Sequence, residues 1–253
     1  MRLVKFFYNK RTKWGILKEN EIEILKESPF PKIILSKKKI PLNKVKIIAP
    51  ANPTKIILIG LNYKDHAKEL KMKRPAQPII FLKPPTSLVE HKGKIIYPRG
   101  VKRLDYEAEL AVVIKKKAKD INKYEVPKFI LGYTCLNDVT ARDLQAKDIQ
   151  WTRAKSFDTF CPLGPWLETD IDPSRLRIRA YLNGKMVQNS CTSNFIFSLN
   201  FLISFISKIM TLFPGDVIST GTPPGVGPMR PFDTVDIEID GIGKLENYVV
   251  PRK

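Results

Sequence analysis

The chain has 253 residues, 43% of them hydrophobic, enough for one large domain with a sizeable core plus a small appendage. Its formal charge is +19, from 44 basic and 25 acidic residues, which raises the question of a nucleic-acid partner. The distribution argues against that role. Lysine runs such as Ser36-Lys37-Lys38-Lys39 and Lys71-Met72-Lys73-Arg74 crowd the first third, the last quarter is close to neutral, and there is no zinc-finger, aromatic RNA-binding or helix-turn-helix pattern. A chain rich in lysine and isoleucine also has the composition of proteins from hot environments.

Residues 1 to about 52 read as a small, basic, β-rich domain. Short strands are expected in MRLVKFFY, Lys13–Leu17 and Glu21–Leu25, closed by the joint Ala49-Pro50-Ala51-Asn52-Pro53. Residues 53–253 form the second, larger unit. It opens with a buried strand, Lys55–Gly60, and a short helix over Asn62–Leu70. Further strands are expected at Ile79–Lys83, Leu104–Lys115, Phe129–Asn137, Arg177–Leu182, Val217–Thr220 and Thr234–Ile239. Asn183-Gly184 predicts a hairpin turn. Helices are expected at Thr140–Trp151 and from Ser198, as N-cap, to Ile209. The apolar stretch Phe195–Phe213 is interrupted by Ser198, Asn200, Ser204, Ser207 and Lys208, so it reads as a buried helix and no membrane partner is expected. Many strands, few helices and no βαβ alternation indicate an α+β fold. The N-terminus lacks the pattern of a signal peptide, and Cys135, Cys161 and Cys191 are widely spaced without a C-x-x-C pair. Both features suit a reduced, cytoplasmic protein.

The segment LDYEAELAVVI, Leu104–Ile114, carries acids at every second position. On a strand, Asp105, Glu107 and Glu109 share a face with Ala111 and Val113, while Ala108, Leu110, Val112 and Ile114 take the other. Like charges crowded on one face need a positive partner: lysines, water or a metal ion. The Glu107/Glu109 pair alone equally suits a solvated face. Asp138, at the end of the strand in GYTCLND, either completes a site with them or caps the following helix. Three carboxylates without His or Cys favour a hard cation, Mg²⁺ or Mn²⁺.

The chain has two histidines. His66 has Glu69 three residues on, a spacing that lets the carboxylate orient the ring and raise its basicity. An exposed histidine among charges is the alternative. His91, in a turn-like stretch, reads as a surface residue. Lys155 lies in a run of low charge, near Phe157, Phe160 and Trp166 in sequence. It is either a desolvated contact for a carboxylate or oxyanion, or a lysine whose amine reaches water. The Gly- and Pro-rich STGTPPGVG, Ser219–Gly227, brings the Thr222 hydroxyl and backbone N–H groups to where a ligand could meet them.

Taken together and in order, IGLNYKDHAKEL, FLKPPTSLV, LDYEAELAVVI, GYTCLNDVTARDLQ, KSFDTFCPLGPW, LNGKMVQ and LFPGDVISTGTPPGVG resemble the fumarylacetoacetate hydrolase family, from Ile57 almost to the end of the chain. The N-terminal segment resembles the small β-domain of many prokaryotic members. The resemblance implies a mixed β-roll with a metal site at one end. It implies Glu107, Glu109 and Asp138 as ligands of Mg²⁺ or Mn²⁺, with Asp105 in the motif but not a ligand. His66 and Glu69 match the pair that activates water or moves a proton. Lys155, Gln145 and Arg142 match residues that hold the substrate's oxygens, and Thr222 a contact from the Gly-Pro loop. The charged turn Glu90-His91-Lys92 departs from the pattern only where members vary.

The reaction implied first is hydrolysis of a carbon–carbon bond in an acylpyruvate-type substrate. The alternative is isomerisation, tautomerisation or decarboxylation of a 2-oxo or 2-hydroxydienoic diacid through the same enolate. Phe81–Pro85 and the stretch around Lys64–Arg74 are expected to shape selectivity. A homodimer is implied as well. From another class, a basic nucleic-acid-binding protein predicts steeply salt-dependent binding.

Overall fold

A computed structural model describes residues 1–30 and 32–252. The N-terminal strands are β1 (Arg2–Tyr8), β2 (Arg11–Lys18), β3 (Glu21–Leu25), β4 (Leu35–Pro41) and β5 (Lys46–Ile48). They are followed by β6 (Ile56–Ile59), helix α1 (Lys64–Glu69), β7 (Ile80–Lys83), β8 (Leu88–Val89), β9 (Lys94–Tyr97), β10 (Leu104–Tyr106), β11 (Ala108–Ile114) and β12 (Ile130–Asn137). After β13 (Thr140–Ala141) come two short helices, α2 (Arg142–Lys147) and α3 (Thr152–Lys155), then β14 (Cys161–Glu168), β15 (Arg177–Leu182) and β16 (Lys185–Cys191). Helix α4 (Leu199–Ile209) precedes β17 (Val217–Ser219), β18 (Gly227–Met229), β19 (Thr234–Ile239) and β20 (Gly243–Pro251). The fold is mostly β with few helices, in the α+β class.

Three sheets result. A 12-stranded mixed sheet runs β4-β3-β2-β1-β14-β12-β11-β17-β6-β7, with β5 on β1 and β8 on β14. A five-stranded sheet runs β16-β15-β19-β20-β9, and a three-stranded one β13-β10-β18. The N-terminal strands continue the large sheet, because β1 pairs with β14 through Arg2↔Glu168 and Leu3↔Leu167. Between β5 and β6, at Pro50–Pro53, the buried Lys5 ammonium donates to the Ala51 carbonyl at 3.0 Å and to Asn52 Oδ1 at 2.5 Å.

Strand β11 separates two cores. Ala108, Leu110, Val112 and Ile114 join the main cluster with the five-stranded sheet and α4, while Ala111 and Val113 join a second cluster with Leu3, Trp14 and Leu163. This is the alternation expected of that segment. Helix α4 buries Leu202, Ile203 and Ile206 completely, each contributing roughly 1.5–3 kcal/mol relative to exposure. Ser198 caps it by accepting from the Phe201 N–H at 3.4 Å. The Asn183-Gly184 hairpin forms as expected, with φ of 51° and 78°.

Two expectations are corrected. Leu104–Lys115 is two strands that belong to different sheets and break at Glu107. The helix expected over Thr140–Trp151 is the short strand β13 and the helix α2, ending at Lys147, because the chain turns at Asp148–Trp151 to bring the following α3 back against β7 and β13. None of the described helices is long and apolar enough to cross a membrane.

Candidate active site

The break between β10 and β11 builds the site. At Glu107 the chain leaves the three-stranded sheet for the large one, and its backbone is held by side chain and backbone of β12's end: Glu107 N–H donates to Asn137 Oδ1, and Asp138 N–H to the Glu107 carbonyl, both at 2.9 Å. Glu107, Glu109 and Asp138 are thereby brought together and buried, each offering a carboxylate oxygen within 4.8 Å of the others'. Asp138 does not cap a helix: α2 begins at Arg142 after Ala141, without a side-chain cap.

Cations balance the carboxylates. Lys155 is 2% exposed, and its ammonium donates to Glu107 Oε2 at 2.9 Å and Asp138 Oδ2 at 2.5 Å. The alternative in which its amine reaches water is thus overturned. Its aromatic neighbour is Phe81, with the ammonium 5.1 Å from the ring centroid. Trp166 lies elsewhere, donating to the Ile242 carbonyl. Arg142 donates from Nε to Asp105 Oδ2 at 2.9 Å, from Nη2 to Glu107 Oε1 and from Nη1 to Gln145 Oε1. Asp105, fully buried, also accepts from Arg103 Nε at 2.8 Å. It therefore serves as the anchor of the arginine that reaches Glu107.

These contacts set the charge states. Burial pushes the Glu107 carboxyl up, but the Lys155 ammonium and the Arg142 guanidinium outweigh it and hold it down at about 2. Glu109 has no such partner. Burial, then the charges of Asp138 and Glu107, push it well above the usual carboxylate range, against the hydroxyl of Ser219 that donates to it. Burial lowers Lys155, yet Asp138 and Glu107 more than offset this and raise it, so the residue is a fixed cation.

The donor set fits a hard divalent cation. Three buried carboxylates converge without nitrogen or sulfur ligands. Asp138 Oδ1 is held in a buried ion pair with the Lys83 ammonium, 2.6 Å away. A cation held between the carboxylates would relieve the repulsion that Asp138 and Glu107 exert on the Glu109 carboxylate.

The remaining candidates lie around one cavity of about 270 Å³, whose wall includes His66, Glu107, Asp138, Arg142, Gln145 and Lys155. Leu70, Met72, Ile79, Phe81 and Trp151 supply its apolar side. A larger groove of about 750 Å³ shares Ile79, Phe81 and Trp151 with it but lacks the carboxylates. His66 Nδ1 pairs with Glu69 Oε2 at 2.8 Å, and Glu69 Oε1 accepts from the Gly225 N–H at 3.0 Å. Gly225 sits at φ 93°, and a Cβ there would come within 2.2 Å of the Val187 carbonyl oxygen, so only glycine lets the loop approach this closely. Thr222 is buried off the cavity wall, its hydroxyl accepting from Gln188 Nε2 at 3.0 Å. His91 is half-buried rather than at the surface, with Nδ1 accepting from the Glu246 N–H at 3.1 Å. All three cysteines are free.

Sequence reasoning missed Lys83. It is 1% exposed, donates to the carbonyls of Val139 (2.9 Å) and Phe160 (2.5 Å), and neighbours Asp138. A lysine inside the otherwise apolar strand IFLK, directly before Pro84-Pro85, was the available signal.

Residues 55–250 match the family described as fumarylacetoacetate (FAA) hydrolase C-terminal, and residues 1–50 match the Rv2993c-like N-terminal family. The chain belongs to the fumarylacetoacetate hydrolase family. Among relatives, the mitochondrial oxaloacetate tautomerase Fahd2a of Rattus norvegicus is 44% identical over 223 residues, covering 83% of this chain and 71% of that protein. The structure of 5-carboxymethyl-2-hydroxymuconate delta-isomerase from Mycobacterium smegmatis superposes with a TM-score of 0.95 at 41% identity, covering 100% of both chains. That of 2-hydroxyhepta-2,4-diene-1,7-dioate isomerase from Mycobacterium marinum has a TM-score of 0.93 at 40% identity, covering 100% of this chain and 99% of the other. This member of the family shares their fold throughout.

Proposed function

We propose that the protein is a divalent-metal-dependent tautomerase or isomerase that moves a proton between the enol and keto forms of a 2-oxo diacid. The observation that carries this reading is a single small cavity whose wall brings His66, paired with Glu69 behind it, beside Glu107 and Asp138 of the carboxylate triad. The relatives support it further: all three names specify isomerisation or tautomerisation of a polycarboxylic acid. They favour this alternative over hydrolysis of an acylpyruvate, the reaction implied first by the resemblance.

Glu107, Glu109 and Asp138 would hold Mg²⁺ or Mn²⁺, which when bound supplies Lewis-acid stabilisation of negative charge developing on a 2-oxo group. Glu69 accepts from Nδ1–H of His66, which leaves the lone pair on Nε2 as the base. His66 takes the proton from the carbon beside the oxo group and returns it to the oxygen, or the reverse, so that no atom is gained or lost. Glu69 stabilises the transient imidazolium. Lys155 is a fixed positive charge for the oxygens of the substrate. Gln145 has its carbonyl oxygen engaged by Arg142, so its amide N–H groups are free to donate to a carboxylate. Leu70, Met72 and Trp151 give the cavity an apolar wall beside these groups. Thr222 acts on this surface only through Gln188 and the loop backbone. The proposal includes a cytoplasmic homodimer: Ile79 just before the sheet's edge strand β7, Leu82 within it and the 95%-exposed Ile149 lie on one groove that a second copy would cover.

The test follows the enol absorbance of oxaloacetate with Mg²⁺ or Mn²⁺ and then with EDTA, with pyruvate assayed in parallel. Metal-dependent acceleration of the keto–enol exchange without pyruvate supports the reading. Pyruvate release from acetylpyruvate or fumarylpyruvate with no effect on the oxaloacetate exchange would replace it with hydrolysis.

A further inference from the structure

Helix α1 carries His66 but has six residues and no side-chain cap from Tyr63 at its start. A helix this short is not held by its own hydrogen bonds. Something outside it must fix the direction of the His66 ring: Asn62 before it is bound to the Ile196 and Phe197 N–H groups at 2.7 and 2.8 Å, and two acidic side chains fasten the helix itself. At its end, Glu69 accepts from Gly225 of the Gly-Pro loop. At its start, Asp65 uses both oxygens. Oδ1 accepts from the His66 N–H at 3.0 Å, one of the donors that a helix start leaves unpaired. Oδ2 accepts from the Ser190 hydroxyl at 2.5 Å and from Asn194 Nδ2 at 3.1 Å. Asn194 Nδ2 also lies 3.1 Å from Ser190 Oγ, closing a three-membered cluster.

Ser190 lies on β16 and Asn194 in the turn after it. Neither Asp65 nor its two partners line the cavity. Their bonds tie α1 to the five-stranded sheet, which is rigid and far from the chain segment that supplies the helix. The choice of aspartate is informative. One carboxylate oxygen receives two donors at once, which needs two lone pairs and gains from a full charge.

We propose that Asp65, with Ser190 and Asn194, is a positioning clamp that holds His66 at the angle its proton transfer requires. The proposal rests on the reading of His66 as the proton carrier. Release of the clamp leaves the carboxylates, Lys155 and the cavity walls untouched, so it changes the rate of the chemical step and not the affinity for metal or substrate. A misplacement of about 1 Å costs on the order of 100-fold in rate.

The experiment compares the wild type with Asp65→Ala, with the double variant Ser190→Ala/Asn194→Ala, and with the swap Asp65→Asn/Asn194→Asp. The swap restores a donor–acceptor pair in the opposite sense. Three readouts are taken: kcat and KM for oxaloacetate tautomerisation, Mn²⁺ affinity, and long-range ¹H–¹⁵N spectra of the imidazole rings. His66 and His91 are the only histidines, so the spectrum assigns itself once one is removed, and His91 is an internal control. The expected result is kcat lowered about 10-fold or more in Asp65→Ala, with KM and Mn²⁺ affinity within about twofold. The His66 signals shift or broaden while those of His91 stay, and the swap recovers at least half of the lost kcat. If Asp65→Ala does not fold, the double variant carries the same expectation. Unchanged His66 signals in the folded variants overturn the clamp. A wild type that does not turn over oxaloacetate refutes the tautomerase reading instead, and the ring spectra still decide the clamp.

Discussion

The Lys155 ammonium and the Asp138 carboxylate stand 2.5 Å apart, with both side chains almost fully buried. The same ammonium reaches Glu107 at 2.9 Å. Two carboxylates that would otherwise repel are joined by a cation that burial alone would neutralise. The pair holds α3 against the end of β12, next to the carboxylates that would hold a divalent ion.

Replacing the lysine therefore has opposite effects on the metal-free and metal-loaded protein. Lys155→Met leaves Glu107 and Asp138 buried without their shared partner, which costs about 3–5 kcal/mol for a broken buried pair. It also removes a positive charge that repels Mg²⁺ or Mn²⁺. In EDTA the variant should melt well below the wild type. On adding Mn²⁺ its midpoint should rise more than that of the wild type, because binding to the folded state is tighter. Turnover should be lost under both conditions. A smaller metal-induced shift in the variant would show that Lys155 helps the metal rather than competing with it.

Lys83 predicts a different pattern. Its ammonium donates to two carbonyls that have no access to water and lies beside Asp138. Lys83→Met retains the stem but strands both carbonyls and one carboxylate oxygen. The expected loss is about 3 kcal/mol or more, read as a lower urea midpoint. Lys37→Met, on the exposed strand β4, should lie within about 0.5 kcal/mol of the wild type.

The contrast between these two lysines shows what the sequence carries. Strands buried on both faces, such as β6 and β11, announce themselves by continuous apolar runs, and α4 by Ser198 and its period. The alternation along β11 assigned each side chain to its core. Strand β14 was not legible, because Pro162, Gly164 and Pro165 lie within it, and such residues normally mark the end or edge of a strand. Its place between β1 and β12 depends on pairing across more than 100 residues, as Leu3↔Leu167 does, and such pairing leaves no local period. The same reason hides Lys83, which meets Asp138 from 55 positions away, and the grip of Asp105 on Arg142. The acids of LDYEAE and the His66–Glu69 spacing were legible because they lie two or three residues apart along the chain.

Glu109 and Glu107 make the metal-free protein respond to pH in opposite directions. Glu109 sits above its ordinary value of 4.5 when folded, so its contribution to stability is fully present below that value and is lost as pH rises through the folded one. Glu107 is held down at about 2, so its contribution is present above 4.5 and is lost as pH falls towards 2. In EDTA, Glu109→Gln should lose less stability than the wild type as pH rises above 4.5, measured as the urea midpoint. Metal binding must also displace the proton that Glu109 favours. Calorimetric titration with Mn²⁺ in two buffers of different ionisation enthalpy should show proton release in the wild type, and less in Glu109→Gln, which carries no such proton.

His66 and Glu109 separate the two halves of the proposed chemistry. Glu109 accepts from the Ser219 hydroxyl and, at 3.0 Å, from the Gly221 N–H, so Glu109→Gln keeps its size but turns one oxygen into a donor facing the other carboxylates. Mn²⁺ affinity and turnover should fall together, and excess metal should restore part of the activity. His66 touches none of the three carboxylates. His66→Gln should leave Mn²⁺ affinity within about twofold and lower kcat by about 100-fold or more, the usual loss for a removed general base. Glu69→Gln should fall between, at about 10-fold, because the ring remains but loses the charge that steadies its protonated form. Measured by Mn²⁺ titration and the oxaloacetate assay on the same preparations, a His66→Gln protein that keeps full turnover would remove histidine from the proton path and leave the carboxylate site standing on its own.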